Sequence, residues 1–140
     1  MEFEDIRPFL EANHQAVVTT FQSNGAVQAS IVVAGAYDGA AAFVSIRGSS
    51  AKVRNLRRDA RCTVLTVTDG WRSYAVVEGT AQLFDASNTD SEQLRVLLRA
   101  VYGACGGGEH PDWEEYDRVM RQQKAVAVLV QPERIYGLLR

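Results

Sequence analysis

Arg47, Ser49, Ser50, Lys52 and Arg54 fall within eight positions of one another, and Gly48 sits among them. Ahead of them runs a strand-like segment, Ala41 to Ile46, and behind them a short cationic helix reaches about Asp59. Ser49 or Ser50 serves as the helix N-cap, so unpaired backbone N–H groups and the positive helix end converge on one spot. Hydroxyls, amides and cations brought together in this way bind anions, and phosphate is the commonest biological anion of that size.

The charge pattern sharpens this reading. The chain carries 17 acidic and 15 basic residues, yet Arg47, Lys52, Arg54, Arg57, Arg58 and Arg61 lie within fifteen positions, opposed only by Asp59. Only two of the basic residues are lysines, and a lysine amid so many arginines marks Lys52 as a place where a compact point charge is wanted. The plainer alternative is that the run simply solvates one face of a helix.

The elements that must position these groups can be read from periodicity. Phe3, Ile6, Phe9 and Leu10 recur at helical spacing, with Pro8 tolerable only in the early turns. Ala16 to Phe21, Val27 to Tyr37 and Ala41 to Ile46 read as strands joined by Ser23-Asn-Gly25 and Asp38-Gly39, turns short enough to force antiparallel pairing. Cys62 to Thr68 and Arg72 to Phe84 form a further pair across Asp69-Gly70, with Gly79 marking a bulge. Ser91 to Val101 is a helix capped by Asp90, Gly106 to Gly108 reads as a flexible hinge, and Asp112 to Gln123 is another helix. Ala125 to Leu139 reads as a last strand broken by Pro132.

These elements describe one domain over residues 1–140, mainly β with peripheral helices: a six-stranded antiparallel barrel, closed or partly open. Side chains fill the interior of so small a barrel, so a large ligand has to bind outside it or between subunits, and a homodimer is the expected assembly.

Composition excludes other classes. No apolar run is long enough to span a membrane and no secretory leader is present, so the expected location is cytoplasmic. Cys62 and Cys105 show no CxxC spacing, and with His14 and His110 isolated no metal site is expected. A net charge of −2 argues against nucleic acid as the partner. No GxSxG, HExxH or Walker sequence occurs.

Three segments together resemble the split-barrel flavin- and deazaflavin-binding proteins of the pyridoxamine 5′-phosphate oxidase-like superfamily, in particular the small actinobacterial-type members that use the deazaflavin coenzyme F420. They are Ser49-Ser-Ala-Lys-Val-Arg-Asn-Leu-Arg-Arg-Asp-Ala-Arg61, Tyr74-Ala-Val-Val-Glu-Gly-Thr-Ala81 and Glu109-His-Pro-Asp-Trp-Glu-Glu-Tyr116, in that order. The likeness extends from Val17 to Gly137 and implies a split barrel that dimerises, with the cofactor in a cleft between subunits. It implies that Ser45, Arg47, Ser50, Lys52 and Asn55 grip the cofactor phosphate. Ser30 and Ile31 would flank the ring, and the partner subunit would contribute around Trp71 and Tyr74. Relatives often carry a basic residue where Ser50 stands, a charge that Arg47 can replace here.

The resemblance also implies the chemistry. F420, or alternatively FMN, carries its own reactivity, so the protein needs no nucleophile, and hydride would pass between the reduced coenzyme and an unsaturated small-molecule substrate. A cofactor carrier without turnover is the rival from another class. No catalytic residue is assigned. Trp71 can stack on a ring or simply pack, and Tyr74 suits core or subunit contact as well as ligand contact. His110 and Trp113 read as helix-start and packing residues, and His14 as a complement to the first helix dipole.

Overall fold

The computed structural model describes all residues, 1–140. Helix α1 (Phe3–Ala12) buries Ile6 and Leu10, and its first turn is fixed by the Asp5 carboxylate, which accepts from the Glu2 backbone N–H at 2.8 Å. The strands follow as β1 (Gln15–Phe21), β2 (Val27–Tyr37) and β3 (Ala40–Ser45). Helix α2 (Ala51–Arg58) then leads to β4 (Arg61–Val67) and β5 (Tyr74–Phe84). Helix α3 (Ser91–Tyr102), a π-helical turn at Gly103–Gly107, α4 (Trp113–Gln123) and β6 (Val126–Leu138) complete the chain. All six strands pair antiparallel in one closed barrel, in the order β1-β2-β3-β6-β5-β4.

Alternation builds the interior. Ala16, Val18 and Thr20 of β1 point inward, as do Cys62, Val64 and Thr66 of β4, and Phe43 of β3 is fully buried among them. A second apolar cluster lies outside β3 and β6, where Leu98 and Val101 of α3 meet Tyr116 and Met120 of α4.

One irregularity in the pairing creates the space for a site. β2 pairs with β3 only from Ala34↔Phe43 to Tyr37↔Ala40, whereas residues 27–33 pair with β1 alone. Beyond Phe43, β3 pairs only with β6. The two strands therefore part, and Val53 and Leu56 of α2, which follows β3, are buried in the barrel core.

Two expectations change. The last strand is not broken at Pro132: the register slips between Glu78 and Gly79, Gly79 faces Pro132 and Glu78 faces Arg134, so Glu133 is absorbed as a bulge. A Cβ on Gly79 would sit 1.7 Å from the Gln131 carbonyl oxygen, which is why glycine stands there. Nor is the glycine run a free hinge. Gly106 (φ 89°) lies against the His14 ring, and a Cβ on Gly35 of β2 would meet the Ala104 carbonyl oxygen at 2.0 Å, so the π-helical turn is seated on β2. His14 itself stands beyond the end of α1, and its Nδ1 bonds the Ala34 carbonyl at 2.8 Å.

Candidate functional site

The N-terminus of α2 is built by a relay of hydroxyls. Ser50 is the N-cap and its Oγ accepts from the Val53 amide at 3.4 Å. Ser45 Oγ lies 3.0 Å from Ser50 Oγ and donates to the Arg47 carbonyl at 3.1 Å, so Ser50 supplies the hydrogen between the two. Both hydroxyl hydrogens are thus spent inside the turn. The Ala51 and Lys52 amides have no acceptor in the chain, and they are what the helix end offers to an anion.

Arg47, Lys52 and Arg54 form no ion pair, whereas Arg57 pairs with Asp85 at 2.6 Å and Arg61 with Asp59 at 2.6 Å. The cationic run therefore divides in two: Arg57 and Arg61 are paired with carboxylates and Arg58 donates to the Phe21 carbonyl and Asn55 Oδ1, whereas Arg47, Lys52 and Arg54 have no carboxylate partner. Partial burial, with Arg47 next to it, lowers the Lys52 pKa. Such a lysine gains by taking an anionic partner. Gly48 seats the turn against the end of α4, its amide donating to the Gln123 carbonyl at 3.1 Å.

These groups stand at one end of a cleft of about 1420 Å³. Where β2 and β3 separate, Ile31 and Val33 form one wall and Val44 and Ile46 the other. Trp71, 83 % exposed and with a left-handed backbone (φ 64°), reaches the cleft from the β4–β5 turn of the same chain. Tyr102, Cys105, His110 and Tyr116 make the far end, and Val119 and Met120 line the α4 turns that lead back to Gln123 and the Gly48 turn.

Of the residues singled out from the sequence, Ile31, Ser45, Arg47, Ser50, Lys52 and Trp71 line this cleft. Ser30, Asn55 and Tyr74 do not. Ser30 lies on the opposite face of β2 from Ile31, and Tyr74 is on the outside of β5, opposite Leu138. Asn55 points into the barrel, where its amide donates to Thr20 Oγ1 at 3.1 Å and Gln28 Oε1 at 2.8 Å and accepts from Arg58 at 3.0 Å.

The far end is what periodicity alone did not reveal. Tyr102, His110, Trp113 and Tyr116 form one cluster of rings with centroids 5.2–5.7 Å apart. Trp113 packs as the sequence suggests, under Arg99 at 4.9 Å, but His110 faces the cleft. The trace in the sequence was an aromatic residue at each of four nearby positions, three of them on one helical turn and its approach.

Burial pushes the thiols of Cys62 and Cys105 up to about 12, so neither is a nucleophile at neutral pH. No three His, Cys, Asp or Glu side chains gather as a metal site, and no helix is long and apolar enough to cross a membrane. The free cations, the two open amides and the apolar walls fit a planar molecule carrying a phosphate.

A family model described as pyridoxamine 5′-phosphate oxidase matches residues 3–138. Solved structures share the fold at low identity. A conserved hypothetical protein of Mycobacterium tuberculosis is 20 % identical at a TM-score of 0.75, with 99 % of this chain and 84 % of that one covered. An F420 reductase is 16 % identical at 0.65, with 93 % and 94 % covered. The heme storage protein HutZ of Vibrio cholerae is 16 % identical at 0.69, with 99 % and 96 % covered.

Proposed function

The chain belongs to the pyridoxamine 5′-phosphate oxidase family, and from that premise we propose that it is an oxidoreductase using F420 to reduce an unsaturated organic substrate. The observation that carries this is the set of unpaired cations and open amides at the start of α2, facing a cleft of about 1420 Å³. Small-molecule sites commonly measure roughly 300–1,000 Å³. The cleft therefore has room for a second molecule beside a cofactor, which a carrier without turnover does not need.

F420, when bound, supplies hydride chemistry. The chain supplies the grip and the shelter. Lys52, Arg47 and the Ala51 and Lys52 amides hold the phosphate, and Ile31, Val33, Val44 and Ile46 exclude water from the ring. The Ser45–Ser50 relay keeps the α2 N-terminus in place, so its amides are oriented before the ligand arrives. FMN fits the same grip and is the alternative cofactor.

The working form in this proposal is a homodimer. Ile31, Val17, Leu65, Val76 and Tyr136 form one row across the outside of five strands. Ile31 is 88 % exposed, and Val17 and Ile31 also line the cleft, so a second copy laid on this row closes the cleft's open side. Its Tyr74, beside that row, then reaches toward the neighbouring site. The reduced thiols suit a cytoplasmic protein.

Fluorescence titration of the apoprotein with F420, FMN and hemin, repeated with Lys52→Ala, tests the reading. F420 affinity at or below the micromolar range that falls at least about tenfold in the variant supports it. Preference for FMN moves the protein to the flavin alternative. Hemin binding alone, or no binding at all, overturns it.

A further inference from the structure

The aromatic end of the cleft is chemically unlike the cationic end. Its walls are Tyr102, Tyr116 and a protonated Cys105, whose thiol donates to the Ala42 carbonyl at 3.4 Å, and Val119 and Met120 continue the apolar lining along α4. The one charged side chain there, Glu115, is engaged by Arg118. A charged ligand would find no countercharge at this end, whereas a neutral planar one meets ring edges and apolar side chains.

Polar selectivity at this end comes from few atoms. Tyr116 spends its hydroxyl on the Leu98 carbonyl at 2.9 Å, and Trp113 directs its indole N–H to Glu109 at 3.3 Å. His110 differs. Its Nδ1 accepts from the Asp112 backbone N–H at 2.9 Å, which places the proton of the neutral ring on Nε2. Nε2 has no hydrogen-bonding partner in the protein, and the ring is held by Tyr102 at 5.5 Å and Tyr116 at 5.4 Å. A backbone amide thus fixes the tautomer and the neighbouring rings fix the orientation, leaving one N–H donor on the cleft wall. The Tyr102 hydroxyl is a second donor without a partner.

We propose that this compartment is the substrate half of the cleft, that it takes a neutral planar conjugated compound with a carbonyl oxygen at its edge, and that His110 selects for that oxygen. The assignment rests on the cationic end being the cofactor's phosphate grip, which leaves this end for the second molecule. Trp113 and Asp112 act through His110 as positioning residues. A hydrogen bond from neutral His110 to a carbonyl oxygen also favours negative charge developing there, with the proton for the product drawn from solvent.

The test is a thermodynamic cycle read as binding. Equilibrium dialysis measures the affinity of 2-methyl-1,4-naphthoquinone and of 2-methylnaphthalene, which has the same fused rings without the oxygens. Wild type, His110→Phe and Tyr102→Phe are compared, each checked for folding by circular dichroism. The wild type should favour the quinone by about tenfold, and His110→Phe, which keeps a ring in the cluster, should abolish that preference. Tyr102→Phe should reduce it by less. A role confined to packing would weaken both ligands equally. Equal loss, an unchanged preference in His110→Phe, or no binding of either compound to the wild type overturns the proposal. Cofactor titration is a separate readout: if F420 and FMN fail to bind while the cycle holds, only the cofactor reading falls. If they bind and the cycle fails, only this inference falls.

Discussion

Asn55 sits three positions after Lys52 on a cationic helix, yet the two side chains do different work. Lys52 reaches the cleft, while Asn55 ties α2 to β1 and β2 through Thr20 and Gln28 and is itself held by Arg58. Thr20 has no exposed surface, so removing its amide partner leaves a buried hydroxyl unsatisfied. Asn55→Ala should therefore lose about 1–3 kcal/mol of folding stability, read as a lower urea midpoint, while its phosphate-dependent affinity stays within about twofold of wild type. A large loss of affinity at unchanged stability would make Asn55 a ligand residue instead. The anion grip was legible in the sequence because charge, cap and glycine stand side by side there. The role of Asn55 was not, because its partners lie 35 and 27 positions away.

At the scale of elements, the decisive feature is the parting of β2 from β3, which leaves the cleft open between them. Strand identities and turns follow from alternation and glycine placement, and were readable. How far two strands stay paired depends on what packs between them, and no local pattern encodes that. The same holds for the π-helical turn: the run Gly106 to Gly108, which overlaps its end, reads as freedom, but Gly106 and Gly107 are glycine because His14 and the Tyr102 ring press on them. Helices α3 and α4 are coupled by Arg99, whose guanidinium donates to Asp117 at 3.0 Å and 2.5 Å. Those bonds from Arg99 hold the Asp117 carboxyl below its ordinary value of 3.8. A lowered folded-state value stabilises the fold above the unfolded value, and that contribution is lost as pH falls through the folded one. Asp117→Asn should therefore cost about 1–3 kcal/mol at pH 7. The gap between variant and wild type should close as pH falls below about 4, and chemical denaturation at pH 7, 5 and 3 reads it. A gap unchanged between pH 7 and pH 3 would assign the loss to packing.

For the molecule as a whole, the outer row from Ile31 to Tyr136 sets the assembly in the proposed dimer. Leu65 belongs to that row but not to the cleft lining, so it separates association from ligand contact. Leu65→Asp should sediment near the 15.4 kDa of one chain where the wild type sediments near twice that mass, and it should weaken F420 binding although every gripping residue is intact. Equal sedimentation of the two would remove the dimer from the proposal. The ring of strands has one more consequence, for the order of synthesis. β6 stands between β3 and β5 and is made from residues 126–138. Until the ribosome has delivered that segment, β3 has no second neighbour, and its Ala40–Ser45 edge is an unsatisfied apolar template. The nascent chain therefore passes through a stage with an open strand edge, when chaperone capture competes with aggregation, and the same late event completes the wall beside the cleft.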